Sequence, residues 1–177
     1  MKLHIGCGKK FLPGFKHLDV IPFEHVDYEC DTRELIMIRD EEVSEIYACH
    51  ILEHVKRHEV KDVLKEWARV LKPGGLLRIS VPNFSAIVAE YNANGDLSRL
   101  QGLLYGGQTY DYNYHHVAFD LNFITSLLSD VGFISVSEYD WRDFLPPGFD
   151  DYSRSYLPHM EFETGRQMSL NVVAAKK

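Results

Sequence analysis

Gly6-Cys7-Gly8 cuts off a strand-prone run, Leu3-His4-Ile5, after only three residues. That break limits what the chain can become. Glycines at a strand end let the backbone turn sharply and approach a ligand, and open α/β sheets bind ligands at the carboxyl ends of their strands. A plain tight turn uses the same residues, so the motif alone leaves both readings open. Residues 15–19 form a second β-prone run ending on Asp19; residues 26–30 form a third, followed by Asp31; residues 43–49 form a fourth. Val60, Val63, Leu64, Trp67, Val70 and Leu71 have helical spacing, which predicts a helix over 57–71 stopped by Lys72-Pro73-Gly74-Gly75. Residues 76–81 are a fifth strand. Strands alternating with crossover segments predict a parallel α/β sheet. The link at residues 9–14, broken by Pro13-Gly14, is too short for a full crossover helix.

Beyond Pro82 the pattern loosens. Helices are expected over 84–91 and over 120–131, the second with Asp120 as N-cap and Gly132 at its end. Strands are expected over 134–139 and 168–175. Two irregular segments separate these elements, 102–119 and 141–167. A chain of 177 residues, 45% hydrophobic, suits one domain. Its cofactor-binding half is expected at 1–82 and its acceptor-binding half, carrying both insertions, at 83–177. The formal charge of −7 argues against a nucleic-acid partner. Cys7, Cys30 and Cys49 are odd in number and scattered, as free thiols of a reducing compartment are. No apolar run has the length of a membrane span, so the expectation is a cytoplasmic protein with no membrane partner.

The two acids give the glycine turn a context. A carboxylate at Asp19, with Val20 beside it, is placed to accept bonds from both hydroxyls of a ribose. Asp31, with Thr32, is placed to meet the exocyclic amine of an adenine, or to cap a helix. Phe11 stands where a dinucleotide fingerprint has its third glycine, which counts against a nicotinamide-dependent oxidoreductase.

Leu3-His4-Ile5-Gly6-Cys7-Gly8, His17-Leu18-Asp19, His50-Ile51-Leu52-Glu53-His54 and Arg69-Val70-Leu71-Lys72-Pro73-Gly74-Gly75 together resemble the successive motifs of class I methyltransferases. The resemblance is strongest over residues 1 to 82. In the later part, residues 120–133 and Ser169-Leu170-Asn171-Val172 look like short bacterial methyltransferases of surface-polysaccharide pathways. The resemblance implies a Rossmann-like sheet of seven strands, the last antiparallel and inserted beside the sixth. It implies S-adenosylmethionine as cofactor, with Gly6, Cys7 and Gly8 at its methionine end, Asp19 at the ribose, Asp31 at the adenine, and His50 near the reacting centre. His4 departs from the acid often found in the first strand, and the N-terminal helical lid of most members is absent. Acceptor recognition is therefore expected from the C-terminal half, with a second subunit able to supply missing cover.

Methyl transfer from a sulfonium is an in-line displacement, and a hydroxyl acceptor must also lose a proton. Histidine is suited to take it. Residues 110–116 are the densest polar-aromatic stretch, so His115 or His116 is the candidate base, with Tyr110, Tyr112 and Tyr114 shaping an acceptor pocket. Arg154 and His159 are further acceptor candidates, beside Asp151 and Glu163. His50, Glu53, His54, His115, His116 and Asp120 could ligate a metal, but none shows a zinc-type spacing, so no metal is expected. Glu53-His54 reads equally well as a polar helix start facing solvent. Trp67 is expected in the core. The function expected is O-methylation of a small or glycan-linked acceptor in surface-polysaccharide biosynthesis. The alternatives are N-methylation of a small amine and a catalytically silent, cofactor-binding partner subunit.

Overall fold

A computed structural model describes residues 1–177. Its centre is a seven-stranded sheet made of β1 (Lys2–Ile5), β2 (Lys16–Asp19), β3 (Tyr28–Glu29), β4 (Val43–Cys49), β5 (Leu71–Pro82), β6 (Phe133–Glu138) and β9 (Ser169–Lys176). The strand order is β3-β2-β1-β4-β5-β9-β6. β9 runs antiparallel to both its neighbours and the remaining pairs are parallel, as the motif resemblance implies. A two-stranded ribbon, β7 (Tyr156–Leu157) with β8 (Arg166–Gln167), lies within the 141–167 insertion. The helices are α1 (Val60–Val70), α2 (Phe84–Asn94), α3 (Gln101–Tyr105) and α4 (Leu121–Asp130). No helix is long and apolar enough to cross a membrane.

The register separates two faces of opposite chemistry. Ile5, Leu18, Ala48, Ile79 and Val172 are matched across five strands on one face. Every one of them is buried in the main core, together with Val63, Leu64 and Trp67 of α1 and Ile124 and Leu128 of α4. Trp67 is fully buried there and its indole donates to the Thr32 carbonyl at 2.9 Å. One position earlier, the matched row is His4, His17, Tyr47, Arg78 and Val173. Side chains alternate across a strand, so this second face is polar by construction. His4, His17, Asp19, Glu45, Ser80, Ser169 and Asn171 are all buried polar residues of these strands.

Helices cover the apolar face; an irregular layer covers the polar one. The link between β1 and β2 contains no helix, as its length requires, and sends Leu12 down onto Tyr47 and Cys49. The 141–167 insertion joins it with Leu145, Trp141, Phe144 and Phe149. The insertion also bonds several polar groups beneath it, while His4 Nδ1, Ser80 Oγ and Asn171 Oδ1 keep no partner. Tyr47 donates to Asp151 at 2.6 Å, Asn171 Nδ2 donates to the Ser153 carbonyl at 2.9 Å, and the Arg78 guanidinium lies 4.7 Å from the Phe144 ring. A buried polar group left unbonded costs about 1–3 kcal/mol, which explains why this layer is itself polar and aromatic.

Local signals account for most element ends. Asp120 accepts from the Phe123 amide at 2.7 Å and caps α4, and Asn83 does the same for α2. α1 ends at Val70, one residue before the expected stop. β5 then begins at Leu71 and bulges through Lys72-Pro73-Gly74-Gly75 before pairing again at Leu76. β3 keeps only two of its five expected residues, and α3 occupies the start of the segment read as an open loop.

Candidate functional site

The carboxyl ends of β1, β2, β4 and β5 bring the chemistry together. Gly6 and Gly8 both have positive φ, 63° and 54°, and turn the chain back over the sheet edge. The turn is fastened to β2: the Gly6 amide donates to the Leu18 carbonyl at 2.7 Å, and the Gly8 amide donates to Asp19 Oδ2 at 2.8 Å. Asp19 Oδ1 accepts from the Ile21 amide at 2.9 Å, so the carboxylate of this buried residue is aimed by its own loop beside Val20. Each oxygen keeps a lone pair for a further donor. A Cβ at Gly6 would lie 2.0 Å from Ile51 Cδ1, whereas a Cβ at Gly8 would meet nothing within 4 Å. The two glycines therefore do different work: the first permits β4's exit to pack against the turn, the second leaves the space above it open. Between them Cys7 is buried, which pushes its thiol up to about 12, so it is a packing residue rather than a nucleophile.

Asp31 follows β3 as expected, but its carboxylate is gripped by Arg33, at 2.6 Å through Nη2 and 2.9 Å through Nε. That bond holds its pKa below the ordinary carboxylate value. Arg33 was not singled out from the sequence, although an acid and an arginine two residues apart at a strand exit are a signal for it. Phe11, in place of a third glycine, stacks on His17 at 4.8 Å.

The exit of β4 holds the largest surprise. His50 adopts φ 54°, a left-handed conformation uncommon for a residue with a side chain and often found at functional positions. It leads into a 3-10 turn, Leu52–His54, and Glu53 is wholly buried there. Of the two readings open for Glu53 the solvent-facing one does not hold, because the turn rolls the carboxylate inward beneath three imidazoles. His50 Nδ1 lies 3.1 Å from Glu53 Oε1, and His115 Nε2 lies 4.0 Å from the same oxygen. His54 stacks edge-on against His115 with ring centres 4.8 Å apart. Burial opposes ionisation of Glu53, but the surrounding imidazoles overcome it and hold the carboxyl below its usual range. Burial also lowers the His115 pKa, with Glu53 pulling the other way.

The two candidate bases part company. His115 is drawn into this cluster, with Nδ1 bonded to the Leu103 carbonyl at 3.0 Å. The His116 ring is exposed, and what it contributes is its backbone amide, which donates to the Glu53 carbonyl at 2.8 Å. Tyr110, Tyr112 and Tyr114 are 53%, 58% and 42% exposed, and the loop that carries them is anchored by Asn113 against Gly107 and Thr109. Arg154 is stacked between Trp141 and Phe162, at 4.7 and 4.9 Å, and donates to the Phe149 carbonyl, so its charge is spent inside the insertion. His159 is exposed. One residue of the insertion does reach the site: Tyr152 lies with its ring 5.3 Å from His50 and is 71% exposed. Lys2, Glu45, Arg78, Phe144 and Pro146 line a cleft among their neighbours, but it sits at the opposite ends of the strands.

Residues 14–79 match the family model described as a methyltransferase domain. No curated protein sequence matches the chain. Solved structures are similar in fold. One is a chain from Bordetella parapertussis described as a possible exported protein (15% identity, TM-score 0.57), of which this chain spans only 54% while 93% of its own length is covered. Another is an S-adenosylmethionine-dependent methyltransferase from Archaeoglobus fulgidus (16%, 0.59), with 99% of this chain and 85% of that one covered. A third is 1,6-didemethyltoxoflavin-N1-methyltransferase from Burkholderia thailandensis, solved with S-adenosylhomocysteine (15%, 0.60), with 99% and 70% covered. The strand order and these likenesses give the chain the Rossmann-like fold seen in S-adenosylmethionine-dependent methyltransferases, and within it residues 14–79 are similar to a methyltransferase domain.

Proposed function

We propose that this chain binds S-adenosylmethionine over the Gly6–Gly8 turn and transfers its methyl group to a hydroxyl presented at the Glu53 cluster. The observation that carries the reading is the bond from the Gly8 amide to Asp19, which ties the turn to a buried carboxylate at the next strand end. In this reading Asp19 takes the ribose hydroxyls, Val20, Asp31 and Thr32 flank the adenine, and Gly6, Cys7 and Gly8 pass beneath the methionine end. His50, at the exit of β4, would line the cofactor near the reacting centre.

Transfer needs the acceptor oxygen in line with the methyl–sulfur bond, and alignment of that kind contributes up to about 7–11 kcal/mol. The proton goes to His115 Nε2. Its Nδ1 faces a carbonyl, an acceptor only, so Nδ1 carries the hydrogen and Nε2 the lone pair. Tyr152 and the 110–116 loop border the acceptor, with Tyr110, Tyr112 and Tyr114 as its outer rim; Arg154 and His159 lie farther into the insertion. The acceptor we assign is a small or glycan-linked hydroxyl of surface-polysaccharide biosynthesis, on the likeness of residues 120–133 and 169–172 to such enzymes and on the chain's negative charge.

Calorimetry with S-adenosylmethionine and S-adenosylhomocysteine tests the cofactor. Both should bind one per chain, and Asp19→Ala should weaken them by about 1.5–3 kcal/mol, the scale of bonds to a charged acceptor. Unchanged affinity in Asp19→Ala, or preferential binding of a nicotinamide dinucleotide, refutes the reading. Product analysis with a panel of sugars and amines tests the acceptor.

A further inference from the structure

The Glu53 cluster has too many acceptors and too few donors. Ser169 Oγ is bonded to the Tyr152 carbonyl, which can only accept, so the hydroxyl hydrogen points there. The same Oγ lies 2.9 Å from His50 Nε2 and must accept from it. His50 Nε2 therefore carries a hydrogen, and in a neutral ring Nδ1 presents a lone pair to Glu53 Oε1 only 3.1 Å away. His54 Nδ1 faces the Tyr114 carbonyl at 3.1 Å, and His115 Nδ1 faces the Leu103 carbonyl at 3.0 Å. Both rings are thereby fixed with the hydrogen on Nδ1 and the lone pair on Nε2. With His50 in that neutral form neither oxygen of Glu53 has a hydrogen-bond donor, and the residue is wholly buried. A buried carboxylate without donors is expensive unless a positive charge neutralises it.

We propose that Glu53, His54 and His115 bind a divalent transition-metal ion, with His50 standing beside Glu53 at the edge of the site. One ligand atom from each of the first three lies within 4.8 Å of the others. Ligands bonded at ~2.0–2.2 Å to a tetrahedral ion lie about 3.4 Å apart, so the cluster must draw in by up to about 1.4 Å to close on it. Ligating histidines almost always donate their other ring hydrogen to a carbonyl or carboxylate, and His54 and His115 are already held that way. Imidazole with carboxylate favours zinc, manganese, cobalt or iron over calcium or magnesium. A proton on His50 would satisfy Oε1 alone and leave Oε2 and two imidazole lone pairs without a partner. A metal ion satisfies all of them.

The role of the ion rests on the methyl-transfer reading above. With positions left open toward the acceptor, the ion binds the acceptor hydroxyl and lowers its pKa, and the proton leaves to solvent. The resulting oxygen attacks the methyl carbon, the carbon–sulfur bond breaks with its electron pair passing to sulfur, and the methylated acceptor and S-adenosylhomocysteine leave. With the ion bound, His115 is a ligand and no longer the proton acceptor.

The test is titration of chelator-treated protein with Co²⁺, Mn²⁺ and Zn²⁺, followed by calorimetry and by the visible absorption of Co²⁺. One ion per chain is expected, with a Kd of micromolar or below. His54→Ala and His115→Gln should each weaken binding at least tenfold while remaining folded by circular dichroism and keeping wild-type affinity for S-adenosylhomocysteine. His58→Ala, at an exposed histidine outside the cluster, should bind the ion as wild type does. Absent stoichiometric binding, or binding that survives both variants, overturns the proposal; so does an imidazolium proton on His50 Nδ1 seen by ¹⁵N NMR in the presence of the ions. Metal binding without cofactor binding would sink the methyl-transfer reading and spare the site; cofactor binding without metal would do the reverse.

Discussion

Gly6 and Gly8 share a motif and a left-handed backbone, yet the structure predicts opposite consequences for the same substitution. Alanine at either position pays the left-handed penalty, about 1–2 kcal/mol. At Gly6 the new methyl would also sit 2.0 Å from Ile51 Cδ1 and 2.5 Å from Cγ1, far inside contact distance. Overpacking of that kind adds about 1–3 kcal/mol, so Gly6→Ala should lose about 2–5 kcal/mol in total. At Gly8 the methyl meets nothing within 4 Å, so Gly8→Ala should lose only the backbone penalty. Urea denaturation of both variants, with Ile51→Val and the Gly6→Ala/Ile51→Val double variant, isolates the collision. Ile51→Val alone should cost about 0.5–1.5 kcal/mol. In the double variant it should instead recover at least ~1 kcal/mol relative to additivity, because the two changes act on one contact. Calorimetry should show the reverse order for the cofactor, with Gly8→Ala folded and at least tenfold weaker, since its methyl enters the open space above the turn. Equal destabilisation by the two glycine variants, or strict additivity with Ile51→Val, would refute the reasoning.

His4 is buried on the polar sheet face, and burial, with His17 and His25 adding to it, takes its pKa down to about 3. The unfolded chain then binds its proton first, so stability falls as pH drops from about 6.5 towards 3, by up to about 1.4 kcal/mol per pH unit. His4→Phe should flatten that slope between pH 7 and 5 in urea midpoints, and an unchanged slope would count against it. Asp120→Ala removes the side-chain bond to the Phe123 amide and should cost about 1 kcal/mol, read from the same denaturation curves. A loss under ~0.3 kcal/mol would mean that the cap contributes nothing.

What was legible in the sequence was local. The glycine turn, the acid ending β2 and the one just after β3, the whole of β4 and the stripe of α1 are carried by residues a few positions apart, and each lies where its pattern places it. What was not legible depends on distant chain. Glu53 looks like a solvent-facing acid until the turn after β4 and the segment carrying His115 close over it from 62 residues away. Arg154 has the sequence context of an anion binder, but Trp141 and Phe162 meet on either side of it only once the insertion has folded. The tyrosines of 110–114 have the composition of a pocket, yet their backbone, through the Tyr114 carbonyl, is what touches the cluster. Composition reports which groups are available, and tertiary contacts decide which of them turn inward.

The placement of β9 also governs when this chain can fold during synthesis. β9 separates β5 from β6, so β6 has no sheet neighbour until the last strand has left the ribosome. The layer over the polar face is equally late, because Asp151 must reach back 104 residues to meet Tyr47. Contacts this far apart in sequence form slowly, and a nascent chain carries exposed strand edges until they do. A chain stalled near residue 165 would therefore hold the complete glycine turn and still be an open sheet, a natural client for a chaperone that grips unpaired strands.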